Sequence, residues 1–191
     1  MGKRLILASA SLRRRKIMAE LGVEFDVEVP DVEEICLRND PRETVYENAG
    51  RKIRWAGERW PDRWIVAADT VVGFGGAVVN KPKSLDAARE MFRAFSGATH
   101  EVLTAVAFRT PAGPGNIHVE KSTVRFRHLT EEVIERYFAE VDPLDKAGGY
   151  DINQRADEII SEFSGSRTNI MGLPSEVVKA WLAEQGMGVS A

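Results

Sequence analysis

Between residues 9 and 15 the chain reads Ser9-Ala10-Ser11-Leu12-Arg13-Arg14-Arg15, two hydroxyls followed at once by three guanidinium groups. The apolar run before it, residues 5–8, reads as a buried strand. Ile17, Met18 and Leu21 after it, with Gly22 as a stop, read as a helix. Ser11 is the natural N-cap, so Arg13 and Arg14 fall in the first helical turn, at the positive end of the macrodipole. Cations there repel unless an anion joins them. Helix N–H groups, serine hydroxyls and arginine forks would then make a phosphate site. The competing reading is a solvated basic helix face, since no Walker-type glycines accompany the arginines.

Other residues bear on that choice. Asp69 closes the apolar run Ile65-Val66-Ala67-Ala68. A carboxylate there is costly without partners, and strand ends at an open sheet edge are where ligand chemistry gathers; the alternative is an aspartate that caps the next turn. Glu33 and Glu34 are either solvated loop residues or, beside a polyphosphate, ligands of a divalent cation such as Mg²⁺ or Mn²⁺. Lys52 and Lys81 are surface lysines or phosphate contacts; Pro82 holds the backbone of Lys81 extended.

The elements that must position these groups follow from periodicity and caps. After the first helix a strand is expected over 25–29. Asp40-Pro41-Arg42-Glu43 starts a helix with Val45, Ala49, Ile53 and Ala56 inward, ending near 60–62. A strand over 64–72, a glycine turn at 73–76 and a return strand over 77–79 make a hairpin. Ser84 caps a helix with Leu85, Ala88, Met91, Phe92 and Phe95 on one face, stopped by Ser96-Gly97. A half-buried strand over 102–108, a loop over 111–116 and a polar alternating strand over 118–128 come next. Thr130 caps a helix with Val133, Ile134, Tyr137, Phe138 and Val141 inward. A loop over 142–153 leads to short strands over 159–163 and 168–171. Gly172-Leu173-Pro174-Ser175 opens the last helix, with Val177, Val178, Trp181 and Leu182 apolar, and the last six residues fray. The expected fold is therefore α/β: a mixed, twisted sheet flanked by helices, in two lobes with a central cleft.

Composition narrows the class. The 191 residues suit one domain over 1–191, and 43% hydrophobic with 29% charged residues is ordinary for a soluble globular protein. The net charge of −3 provides no basic field for nucleic acid, and no basic-aromatic stripe is present. No run approaches a membrane span. Lys3 and Arg4 precede an apolar run too short for a signal peptide. A single cysteine, Cys36, fits a reducing, cytoplasmic location.

Taken together the motifs resemble the Maf family of nucleotide pyrophosphatases along nearly the whole chain. The family's L-A-S-x-S-x-R-R opening is similar to Leu7–Arg14, its acidic loop to Val32-Glu33-Glu34, its helix lysine to Lys52, its A-D-T strand end to Ala68-Asp69-Thr70 and its K-P element to Lys81-Pro82. Its S-G-x-x-H-x-V-x-T segment matches residues 96–104, its P-x-D-K-A-G-x-Y loop residues 143–150, and its G-L-P residues 172–174. The resemblance implies a cleft fold similar to that of inosine triphosphatases. It implies hydrolysis of a nucleoside triphosphate to a monophosphate and pyrophosphate, with Mg²⁺ or Mn²⁺. Ser9, Ser11, Arg13, Arg14, Lys52, Thr70 and Lys81 would bind the substrate, Glu34 and Asp69 would hold the metal, and Asp69 would position or deprotonate water. Arg13 and Thr70 resemble the dTTP/UTP-directed branch rather than the 7-methyl-GTP branch. That branch usually reads Y-G-I-Q-G where this chain has Tyr150-Asp151-Ile152-Asn153-Gln154, so Asn153 falls at the base-reading glutamine. A non-catalytic nucleotide sensor linked to cell division is the rival reading, disfavoured by the joint presence of these polar groups. A homodimer is allowed, not required.

Overall fold

The computed structural model describes residues 5–144 and 146–188; Lys3, Arg4, Asp145 of the D-K-A-G loop and residues 189–191 lie outside them. Strand β1 (Leu5–Ala8) is wholly buried. Helix α1 (Leu12–Glu20) starts where the Ser11 hydroxyl accepts from the Arg14 amide and ends at Gly22, whose φ is 71°. Strand β2 (Phe25–Glu28) pairs parallel to β1. Helix α2 (Pro41–Arg59) has Asp40 as its N-cap and buries the expected Val45, Ala49, Ile53 and Ala56.

The 11-residue β3 (Trp64–Phe74) pairs parallel to β1, then turns into β4 (Ala77–Val79). Helix α3 (Leu85–Phe95) is capped by Ser84. Strands β5 (Thr99–Thr110) and β6 (Gly113–Phe126) are antiparallel. Helix α4 (Glu131–Phe138), a 3₁₀ turn at Ala147–Gly149, a short α5 (Ala156–Ile159), β7 (Ile160–Ser164), α6 (Arg167–Met171) and α7 (Ser175–Glu184) complete the described chain. The sheet order is β2-β1-β3-β5-β6-β7, with β4 on β3. No helix among the described residues is long and apolar enough to cross a membrane.

Three local expectations are corrected. The loop over 111–116 is only a two-residue turn, because β5–β6 pairing runs out to Thr110 and Gly113. The glycines that suggested a loop serve a β-bulge: a side chain at Gly115 would stand 3.1 Å from the Phe108 carbonyl. The strand over 168–171 is the helix α6. The Ser166 side chain caps it through Asn169 N, and Gly172, at φ 109°, ends it with Leu173 N donating to Thr168 O and Gly172 N to Asn169 O. The frayed end is partly ordered. Gly186 and Met187 donate to Ala183 O and Leu182 O in the same kind of cap, and Met187 packs on the core.

Side-chain parity sorts the core. Ile65, Ala67, Ala105 and Ala107 face α2, with Ile6 and Ala8. Val66, Ala68, Val106 and Phe108 face α1 and α7, packing on Met18, Leu182 and Trp181. The far ends of the same strands supply Val72, Val102, Val124 and Phe126 to a second core with Phe92, Phe95, Ile134, Tyr137 and Tyr150. Burial of these clusters, at about 25 cal/mol per Å² of apolar surface, is the main stabilising term.

Candidate active site

One edge of β3 carries β1 as far as the Ala8–Ala67 pair and β4 from Val72 onward. The interval between them has neither neighbour, and Asp69 and Thr70 stand in it. The cleft that opens there has a volume of about 640 Å³ and is walled by Ser9, Arg13, Glu34, Lys52, Lys81 and Lys146 among others. The feature is the strand-end crevice at which open α/β sheets bind ligands.

The two-residue period of β3 separates its two polar residues. Asp69 shares the odd face of Ile65 and Ala67 and so meets α2, where Lys52 Nζ lies 2.6 Å from its Oδ1 and Asn48 Nδ2 3.2 Å from its Oδ2. Lys52 also reaches Glu34 Oε1 at 2.5 Å, from a loop side chain that remains 58% exposed. Asp69 is 5% and Lys52 8% exposed, so one ammonium is shared between a buried and an exposed carboxylate, and the three groups together keep one negative charge.

Thr70 takes the even face. Its hydroxyl is 2.9 Å from that of Thr104, its register partner, and accepts from Arg14 Nη2 at 2.9 Å. Arg14 also donates Nε to Gly172 O at 2.8 Å and Nη1 to Ala68 O at 2.9 Å and to Ser9 Oγ at 3.4 Å. Burial holds its pKa below the ordinary value, against the pull of Asp69 and Glu34. Arg14 and Thr70, both expected to contact substrate, therefore form a tie that fastens α1, β3 and the Gly172 turn. Ser11 caps α1, and Ser9 Oγ accepts from the Ser11 amide at 3.1 Å. Arg13 is the more available guanidinium, 3.5 Å from Asp151 Oδ2. Lys81 stands exposed at the rim beside the buried Pro82.

Asn153 does not face the cleft. Its amide N donates to Asp151 Oδ1 at 2.9 Å, which turns its side chain outward, where Oδ1 accepts from Arg167 at 3.1 Å. Gln154 lines the cleft instead.

Three site residues escaped the sequence reading. Asn48 stands one turn before Lys52 on α2, a polar pair beside an apolar stripe, and that spacing was the available signal. Lys146 is buried, with Nζ donating to Asp142 O at 2.8 Å; its place in the D-K-A-G motif could have nominated it. Asp151 stands where the resembling pattern has glycine. Two phenols hold this loop. Tyr137 Oη accepts from the Asp151 amide at 3.0 Å, and Tyr150 Oη pairs with His100 Nε2 at 2.9 Å. Burial pushes the Tyr137 phenol up to about 12, raises Tyr150 as well, and pushes His100 down to about 4.

Glu34 and Asp69 are hard-oxygen donors converging on one cationic point, which fits a divalent cation. Among the described residues no group of three or more His, Cys, Asp or Glu gathers at one place. A two-carboxylate set is the kind that Mg²⁺ uses when phosphate oxygens and water complete its shell.

Comparison with known proteins agrees along nearly the whole length. A dTTP/UTP pyrophosphatase of Thermotoga petrophila is 41% identical over 185 residues, covering 96% of this chain and 90% of its own. One of Akkermansia muciniphila is 39% identical over 188 residues, covering 98% of each. A HAM1 protein from Coxiella burnetii shares the fold, with a TM-score of 0.55 and 12% identity over 96% of this chain and 100% of that one. The family model described as Maf-like protein matches residues 4–185, and with relatives this similar the chain belongs to the Maf family.

Proposed function

We propose that the chain hydrolyses a pyrimidine nucleoside triphosphate, dTTP or UTP, to the monophosphate and pyrophosphate. The observation that carries this is Lys52 held between Glu34 and Asp69 at the floor of a cleft walled by Arg13, Lys81 and Lys146. The relatives' activity supports the choice of substrate.

Phosphoryl chemistry asks mainly for positioning and charge neutralisation. Arg13, Lys52, Lys81 and Lys146 would neutralise the phosphate chain, with the Ser9 hydroxyl as a neutral donor. Asp69, oriented through both its oxygens, would position or deprotonate the attacking water. Glu34 and Asp69 would hold Mg²⁺ or Mn²⁺; such an ion, when bound, supplies Lewis-acid neutralisation of the anhydride. Arg14, Ser11 and Thr70 also line the cleft and hold its shape through the helix cap and the ties to Ala68 and Gly172. The protein acts in this reading as one domain over residues 1–191, in the cytoplasm, with no nucleic acid or membrane partner and with a homodimer allowed.

The test is product analysis across dTTP, UTP, CTP, ATP, GTP and 7-methyl-GTP with Mg²⁺ or Mn²⁺. Pyrophosphate release, fastest with dTTP or UTP, is expected. Asp69→Asn, which keeps shape and loses the base, should be slower by about 100-fold or more. Orthophosphate as the product, or a clear preference for 7-methyl-GTP, would overturn the assignment.

A further inference from the structure

The acidic loop that carries Glu34 has no regular secondary structure over residues 29–36, yet it is fastened along α2. Thr44, Asn48 and Lys52 are spaced four residues apart and form a polar ridge on one face of that helix. Thr44 Oγ1 accepts from Leu37 N at 3.1 Å, Lys52 reaches Glu34, and Asn48 stands between them.

Asn48 is 3% exposed, and every polar atom of its side chain is engaged. Oδ1 accepts from the Ile35 amide at 2.8 Å, while Nδ2 donates to Ile35 O at 3.0 Å and to Asp69 Oδ2 at 3.2 Å. The orientation of the amide is dictated by its partners. A flipped group would set its oxygen against the Ile35 carbonyl and the Asp69 carboxylate at once. No other side chain of this size offers one acceptor and two donors without charge. Asp would add a carboxylate beside Asp69, Leu would fill the volume and bond nothing, and Gln would overshoot by a methylene.

We propose that Asn48 is a positioning residue: its amide pins Ile35 to Asp69 and so fixes where Glu34 stands relative to the Asp69 carboxylate. This rests on the reading of Asp69 and Glu34 as the carboxylates that act on the substrate. The other bond to Asp69 comes from Lys52, a cation that phosphate oxygens compete for. The neutral amide of Asn48 has no such competitor, and it keeps the Asp69 carboxylate in plane while Lys52 serves the phosphates.

The experiment compares wild type with Asn48→Ala and Asn48→Leu, Leu being close in volume should the alanine protein not fold. Turnover of dTTP is measured, together with amide hydrogen exchange at Ile35. Expected are a kcat lower by about 10–100-fold, the usual effect of removing a group that orients a reacting one, and a KM within about threefold of wild type. The Ile35 amide, protected in wild type, should exchange freely in both variants. Asp69→Asn, by contrast, should lose turnover with Ile35 still protected. A wild-type kcat in a variant whose Ile35 amide exchanges freely would overturn the proposal. So would an Ile35 amide in wild type that exchanges as fast as an unbonded loop amide. If wild type hydrolyses no triphosphate, the functional reading fails, while Ile35 exchange still decides whether Asn48 is the clamp.

Discussion

Arg14 donates to Ala68 O, Thr70 Oγ1 and Gly172 O, while its neighbour Arg13 pairs with Asp151. Both sit in the first turn of α1, and macrodipole repulsion applies to both, but their partners give them different tasks. Arg14→Ala leaves three confined acceptors short of a partner, at about 1–3 kcal/mol for each one left unsatisfied, and Lys cannot reproduce the fork. The urea midpoint of Arg14→Ala should fall steeply. That of Arg13→Ala should move by less, since its contact with the buried Asp151 is long and its own side chain is one-third exposed, while its KM for dTTP rises. Equal loss of stability in the two variants would refute this division. His100 provides a second prediction at this scale. It is 1% exposed, its Nδ1 has no hydrogen-bond partner among the described residues, and burial depresses its pKa to about 4. The unfolded chain takes up this proton near pH 6.5 and the folded one only near 4, so between those values the unfolded state binds more protons. Stability from this group is thus complete above pH 6.5 and lost as pH falls toward 4, by at most about 3 kcal/mol. His100→Phe should flatten that part of the stability–pH curve, which urea titrations from pH 7 to 4 would register as a shrinking difference from wild type at low pH.

Among the elements, caps and stripes were readable because they are local. Ser11, Asp40, Ser84 and Thr130 each cap the helix they precede, and the 45/49/53/56 stripe is buried. The misread elements turned on tertiary geometry. Residues 168–171 are too few for periodicity to speak, and Gly172, expected to open the next helix, has a φ that makes it the stop of α6. In the candidate site, Asp69 facing α2 follows from strand parity. The destination of the Arg14 guanidinium does not, because Gly172 lies 158 residues away. The loop after Tyr150 combines both cases. Pattern matching selected Asn153, but Asp151 Oδ1 accepts from the Asn153 amide and bends the chain, so that Gln154 enters the cleft and Asn153 leaves it. Gln154→Ala should change the ratio of kcat/KM among dTTP, UTP and CTP by about tenfold, the scale of one well-placed hydrogen bond to a base. Asn153→Ala should leave that ratio unchanged. The reverse result would return base reading to Asn153.

At the scale of the whole molecule, β3 and β5 run through three apolar clusters, two centred at one end of the strands and one at the other, with a polar seam between. Ile65–Ala68 and Ala105–Phe108 belong to the cores around α1, α2 and α7, whereas Val72 and Val102 belong to the core around α3 and α4. Between them lie Asp69, Thr70 and Thr104, which make the cleft floor and the Arg14 tie. The seam opens into the cleft at Asp69 and Thr70, yet nine consecutive β3–β5 pairs, from Ile65–Arg109 to Gly73–Glu101, cross it without a break. Opening one core alone would require breaking that ladder in mid-strand. Unpaired backbone groups would result, with none of the solvent-exposed linker that lets lobes unfold separately. The chain should therefore unfold in one cooperative step. Its chromophores can test this, because all four tryptophans, Trp55, Trp60, Trp64 and Trp181, pack in the first set of cores, while the buried tyrosines Tyr137 and Tyr150 sit in the second. Tryptophan fluorescence and near-ultraviolet tyrosine signals followed through the same urea titration should give coincident transitions with one midpoint. Two separated midpoints, the tyrosine signal moving first, would mean that the β3–β5 ladder does not couple the lobes and that the cleft divides two folding units.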